Sequence, residues 1–277
     1  MHIPKSAGTS LSDALRTAIQ PRAFFSAFDR CNFGTFDGFK SVAEEIRRAI
    51  VFDAAEIPRG LDLILGHMSF STTSRAYPHA QFMTILREPV SRLMSFWLFW
   101  RSKRDENLVP WGGWGDYVRK SRRPLREFLC ARDISCQVDN QTLRMLLWPH
   151  PLVPADDFID ERHDEELIQT AVSRLEQFSF DDVVENPDMV AKLQDWLGRP
   201  LLLQKLNETD NISRALKTPI HQEFDPETLT SIVHLSRLDL KLWQQVVARR
   251  LRSVSPGTFR DQVRAENLAR HSRLMTA

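Results

Sequence analysis

The chain has 277 residues, a length that suits one large α/β domain better than two equal ones. Its 37 Lys and Arg against 36 Asp and Glu leave a formal charge of +1. That near-balance argues against the broad basic surface that coats nucleic acid and says nothing against a local anion site. Cys31, Cys130 and Cys136 are odd in number and form no CxxC pair, so they read as passive thiols in a reducing compartment. No apolar run approaches the ~18 residues of a membrane span, and no signal pattern opens the chain. The expectation is a soluble, cytoplasmic protein.

In chain order, Pro4-Lys5-Ser6-Ala7-Gly8-Thr9-Ser10 predicts a small-residue turn. Leu11, Leu15, Ala18 and Ile19 follow at helical spacing, with Thr9 or Ser10 as the expected N-cap. Residues 21–40, with six phenylalanines among Gly, Asp and Asn, read as a packed loop. Leu61-Asp62-Leu63-Ile64-Leu65 predicts a strand ending at Gly66-His67, and residues 81–86 a second strand ending at Arg87-Glu88-Pro89. A helix is expected from Val90 to about Trp100. Apolar strands alternating with helices predict a parallel sheet covered on both faces, with ligands at the carboxyl ends of its strands.

Residues 101–163 form a polar, Trp- and Arg-rich insertion with short helices near 124–131 and 137–147. A helix at 164–178, a strand near 180–184 and a helix at 186–197, stopped by Gly198 and Pro200, come next. Residues 201–203 are a strand candidate and 226–250 one long helix. The whole reads as a single domain over 1–250, with 251–277 as a peripheral Arg-rich tail.

Three places carry chemistry. In the first turn, small residues let successive backbone N–H groups face one side, and the following helix adds its dipole. Lys5 adds a full charge, and Thr9 and Ser10 add hydroxyls. The competing reading is an ordinary helix start with a surface lysine. The stretch is not a Walker A loop, because Lys5 precedes the only glycine. At the second strand's end, Arg87 and Ser95 sit where a guanidinium fork and a hydroxyl converge on a phosphate. Arg92 is free to do the same or to pair with Glu88 at i,i+4, in which case the segment is a plain ion-paired helix start. His67 follows the first strand and is suited to general-base work, although a lone histidine is more often structural.

Taken together these residues resemble the sulfotransferases that use 3′-phosphoadenosine-5′-phosphosulfate, in particular the branch of heparan-sulfate-type carbohydrate enzymes and their bacterial relatives. Residues 2–11 look like that family's 5′-phosphosulfate loop, and Leu86 to Phe96 like its 3′-phosphate motif with the eight-residue Arg-to-Ser spacing. Gly66-His67, Asn140-Gln141-Thr142-Leu143-Arg144 and Leu238-Asp239-Leu240-Lys241-Leu242-Trp243 are similar to weaker family segments. The resemblance spans about 2–250.

The resemblance implies a P-loop-like parallel sheet flanked by helices, the sulfotransferase fold. The strand that precedes the family loop has no counterpart before His2: either the start lies upstream of Met1 or the sheet lacks its first strand. It also implies in-line transfer of a sulfuryl group to an acceptor hydroxyl, with no metal required. Lys5 would stabilise the leaving phosphate oxygen, helped by backbone N–H groups of Ser6, Ala7, Gly8 and Thr9, with Ser10 completing the loop. His67 would be the base, and Arg87 and Ser95 would hold the 3′-phosphate. The expected acceptor is a glycan or glycolipid, because Trp111-Gly112-Gly113-Trp114 in a loop could stack on sugars beside Arg101, Lys103 and Arg104. Trp97 and Trp100, at i,i+3, read as core. Asn140, Gln141 and Arg144 read equally as ligand contacts or as structure. The alternative reading is a non-catalytic nucleotide- or glycan-binding relative, and a third is a nucleoside-triphosphate kinase.

Overall fold

A computed structural model describes residues 1–203 and 212–276. It is an α/β structure in which every strand pair among the described residues is parallel. Helix α1 (Gly8–Ile19) follows the first turn. Strands β1 (Phe24–Asp29), β2 (Ile50–Val51) and β3 (Leu63–His67) form one sheet in the order β2-β1-β3. Helix α2 (Phe70–Ala76) leads to β4 (Met83–Leu86) and helix α3 (Pro89–Arg101). After a run of short helical turns come α4 (Gln141–Leu147) and α5 (Asp164–Leu175). Strand β5 (Phe180–Val183) pairs with β4 as a second sheet, and α6 (Met189–Leu197) follows it. Helices α7 (Pro226–Leu235), α8 (Arg237–Arg250) and α9 (Pro256–Thr276) close the chain.

The first two residues bridge the sheets. The Met1 amine donates to Met83 O of β4 at 2.8 Å, and His2 N donates to Gly66 O of β3 at 3.2 Å. These two bonds tie the start of the chain to the first residue of β4 and to the carboxyl end of β3.

Several expectations need correction. Residues 24–29 are not loop but β1, the middle strand of its sheet. Phe-Phe-Ser-Ala-Phe-Asp lacks both a continuous apolar run and strict alternation, so local pattern conceals a strand that long-range pairing creates. Helix α1 starts at Gly8, with Ala7 as a left-handed N-cap that makes no side-chain cap, so Thr9 and Ser10 lie in the first turn. Residues 201–203 form no strand: Leu201 packs with Leu11 and Leu193 while Leu202 is exposed. The helix expected at 226–250 breaks at Ser236. Asn140 fills that break: its N–H donates to Leu235 O at 2.7 Å, and its Oδ1 accepts from Leu238 N at 2.8 Å and Asp239 N at 3.2 Å. Asp239 returns the favour by accepting from Thr142 N and Leu143 N at the start of α4, both at 2.9 Å. Orphan groups of two helices are satisfied reciprocally.

The segment read as a peripheral tail is instead a 21-residue helix, α9, docked on the body. Its Arg264 Nε donates to the fully buried Glu88 at 2.8 Å, and Val263 and Met275 are buried. Among the described residues no helix is long and apolar enough to cross a membrane.

Gly66 lies opposite Ala27 in the β1–β3 ladder at φ 114°. A Cβ there would fall 2.2 Å from Ala27 O, which is backbone and cannot yield. Gly66→Ala is therefore expected to destabilise the fold by about 3 kcal/mol, read as a lowered denaturation midpoint.

Candidate anion-binding cavity

The turn before α1 earns its shape from backbone strain. Lys5 (φ 69°) and Ala7 (φ 58°) both have positive φ, and Ser6 between them does not. Such alternation turns neighbouring N–H groups toward one concavity, and non-glycine residues held there cost on the order of 1 kcal/mol each. Ser6 does not join in as expected. Its N–H donates to Ile3 O at 3.2 Å, and its buried hydroxyl has no partner and lines a separate cavity between β3 and β4. The loop groups facing the main cavity are Lys5, Ala7, Gly8, Thr9 and Ser10. Gly8 is required by a close approach: a Cβ would fall 1.5 Å from Nε2 of the His2 ring.

His67 ends β3. Its Nδ1 lies 2.9 Å from His2 O, which can only accept, so Nδ1 carries the proton and Nε2 holds the lone pair. Its ring stands 4.3 Å from His2 and 5.5 Å from Phe28, centroid to centroid. Burial is the main cause that pushes its pKa below the ordinary imidazole value; the bond to His2 opposes this and Lys5 adds to it. The imidazole is neutral at pH 7. Asn32 fixes its backbone: Asn32 Nδ2 donates to His67 O at 2.6 Å, and Asn32 O accepts from Gln137 Nε2.

Arg87 ends β4. Its Nη1 donates to Lys5 O at 3.0 Å and its Nη2 to Asn267 Oδ1 of α9 at 2.9 Å. Ser95, two turns into α3, is 8% exposed and lines the same cavity. The Lys5 ammonium rests 4.1 Å above the Phe99 ring, and Lys103 lies at the same distance from that ring. Burial, followed by repulsion from Arg87, Lys103 and Arg270, pushes the Lys5 pKa down to about 8.

The structure thus brings Lys5, His67, Arg87 and Ser95 to one cavity of about 860 Å³, within the range of ligand sites. Trp111 lines it from the end of a short 3-10 helix rather than from an open loop; Trp100 and Trp114 reach it but are core, 7% and 4% exposed, with Trp114 stacked on Tyr117, and Trp97 is fully buried. Other sequence candidates fall elsewhere. Arg92 is buried and donates to Gln141 Oε1 at 2.6 Å rather than pairing with Glu88, whose carboxylate accepts from Ser91 N and Arg264. Arg144 pairs with the buried Asp139 at 2.6 Å. Asn140, Gln141 and Arg144 therefore serve structure.

Two contributors escaped the sequence reading. Glu185 lines the cavity just after β5, accepting from Glu88 N at 2.8 Å and Trp243 Nε1 at 3.2 Å, and burial raises its pKa. Its place after a strand end was the available signal, since His67 and Arg87 share it. The other is α9, whose Asn267, Arg270 and His271 form a wall; nothing local in an Arg-rich helix announces that.

Among the described residues Glu185 is the sole carboxylate on a cavity that Lys5, Arg87, Lys103 and Arg270 also line. Cations gathered in a partly dry pocket repel one another, and an anionic ligand relieves that repulsion. Compared with known protein families the chain matches none, and no curated protein matches it.

Proposed function

We propose that the chain is a sulfotransferase that moves a sulfuryl group from 3′-phosphoadenosine-5′-phosphosulfate to an acceptor hydroxyl, most suitably on a carbohydrate, on a P-loop-like sulfotransferase fold. The observation that carries the reading is the convergence of two anion motifs 82 residues apart, with Arg87 Nη1 3.0 Å from Lys5 O and His67 on the same cavity. A donor with phosphate groups at two ends needs two cationic grips, and a base beyond its sulfuryl group on the side from which the acceptor attacks. The residues present fit that need: the strained turn offers N–H groups and Lys5 to one end, and Arg87 with Ser95 to the other.

The chemistry follows from these positions. The acceptor oxygen attacks sulfur as the bond from sulfur to the 5′-phosphate oxygen breaks in line with it. His67 Nε2 takes the hydroxyl proton. Lys5 and the N–H groups of the turn meet the charge that builds on the leaving oxygen, where fixed donors act with little reorganisation. Trp111, half-buried on the cavity wall, offers an indole face on which a sugar can stack.

Titration of the protein with 3′,5′-adenosine bisphosphate tests the donor site. Charge-assisted bonds contribute about 1.5–3 kcal/mol, so Lys5→Ala and Arg87→Ala should each weaken binding by roughly 10- to 100-fold. Unchanged affinity in both variants overturns the assignment. Transfer of labelled sulfate to a panel of sugars, lipids and phenols tests the activity. Tight binding with no transfer to any of them would turn the reading to a non-catalytic nucleotide-binding protein.

A further inference from the structure

Helix α9 meets the cavity through one face. Asn267, His271 and Leu274 follow at helical i,i+4 and i,i+3 steps, with Arg270 beside them. One turn earlier, Arg264 anchors the helix to Glu88 at 2.8 Å. Three observations give this face a ligand. His271 is 4% exposed, lines the cavity, and its Nδ1 has no hydrogen-bond partner. Arg270 adds a guanidinium to a cavity that already holds Lys5, Arg87 and Lys103. Asn267 presents a neutral carbonyl oxygen to Arg87 Nη2 at 2.9 Å, with its own amide tied back to Val263 O at 2.9 Å. Arg87 is thus satisfied by two neutral oxygens, those of Asn267 and Lys5. An oxyanion adds full charge pairing and can accept both arms of the guanidinium fork, so on arrival it displaces them.

We propose that α9 is a working wall of the anion site, in which Arg270 binds the ligand's anionic group and Asn267 is a positioning residue that holds Arg87 until that group takes its place. The proposal rests on the reading of the cavity as an anion site and extends it to a segment outside the motifs that identified it. The ligand class is a compound with phosphate or sulfate groups at separate ends, one of them within reach of both Arg87 and α9.

Calorimetric titration of the full chain with 3′,5′-adenosine bisphosphate and with inorganic pyrophosphate tests it. Arg270→Ala should weaken a bound anion at least tenfold, with partial recovery in Arg270→Lys. Arg273→Ala, which removes the same charge from an exposed position of the same helix, should stay within twofold. Asn267→Asp, which puts a competing carboxylate on Arg87, should weaken binding, while Asn267→Ala should leave it equal or tighter; a merely structural asparagine would weaken binding in both. Because variants can misfold, amide exchange of the wild-type chain gives an independent reading: saturating anion should slow exchange across 256–276. Equal losses in Arg270→Ala and Arg273→Ala, no loss in Arg270→Ala, or unaltered exchange in α9 overturns the proposal. Binding of pyrophosphate but not of the adenosine bisphosphate, with the Arg270 effect intact, supports the wall and removes the donor reading alone. Binding of neither anion overturns both.

Discussion

His67→Ala is expected to bind 3′,5′-adenosine bisphosphate as the wild-type chain does and to lose turnover by about 10²–10⁴-fold, the range for a positioned general base. The separation of the two effects comes from geometry. The cationic grips are Lys5 and Arg87, while the imidazole sits at the end of β3 and contributes a neutral acceptor nitrogen. Its tautomer is set by His2 O, which accepts the hydrogen bond from Nδ1–H and leaves the Nε2 lone pair for the substrate. His67→Gln keeps a donor for His2 O but has no basic nitrogen, so it should fold better than His67→Ala and be equally inactive. Because burial depresses the imidazole pKa, the acid limb of kcat/KM should lie below the ordinary histidine value of 6.5. A limb at or above 6.5, or a His67→Gln variant that keeps wild-type turnover, would remove His67 from the role of base.

Lys5→Met is expected to weaken donor binding roughly 10- to 100-fold and, at the same time, to raise the melting temperature at pH 7. The two effects share a cause. The Lys5 ammonium is partly buried beside Arg87, Lys103 and Arg270, which lowers its pKa from 10.5 to about 8. A lysine whose folded pKa lies below its unfolded one binds fewer protons when folded, so its charge opposes folding. That penalty is complete below about pH 8 and fades as pH climbs from there to 10.5. The advantage of Lys5→Met in thermal melts should therefore be largest at neutral pH and shrink above pH 8. Such stability traded against function marks an anion site measured without its anion. Equal melting temperatures across that pH range would show that Lys5 is solvated and would weaken its assignment as the group meeting the leaving oxygen.

Much of the site was legible because its signals are local. The turn from Pro4 to Ser10 is set by small residues and one lysine, and the start of α3 by Glu88-Pro89 with Glu88 capping Ser91 N at 2.7 Å. Strands β3 and β4 are short, largely apolar runs, β5 is Phe-Asp-Asp-Val, and at or just past their carboxyl ends stand His67, Arg87 and Glu185. The first two were read and the third overlooked. Strand β1 was not legible, since its ladder partners lie 22 and 39 residues downstream of Phe28, at Ile50 and His67. The same holds for Asn140, which looks like a ligand contact in sequence and is in fact the plug in the break between α7 and α8.

Residue order alone determined the α/β class, the strand ends at which His67 and Arg87 stand, and the two short segments that carry Lys5 and Arg87, because each depends on neighbours a few positions apart. Tertiary structure decided that those motifs share one cavity, that Ser6 turns away from it, and that α9 closes it. Arg87 meets Lys5 and Asn267 from 82 and 180 residues away. Contacts across such separations arise from how the sheets and helices pack, and local periodicity carries no record of them.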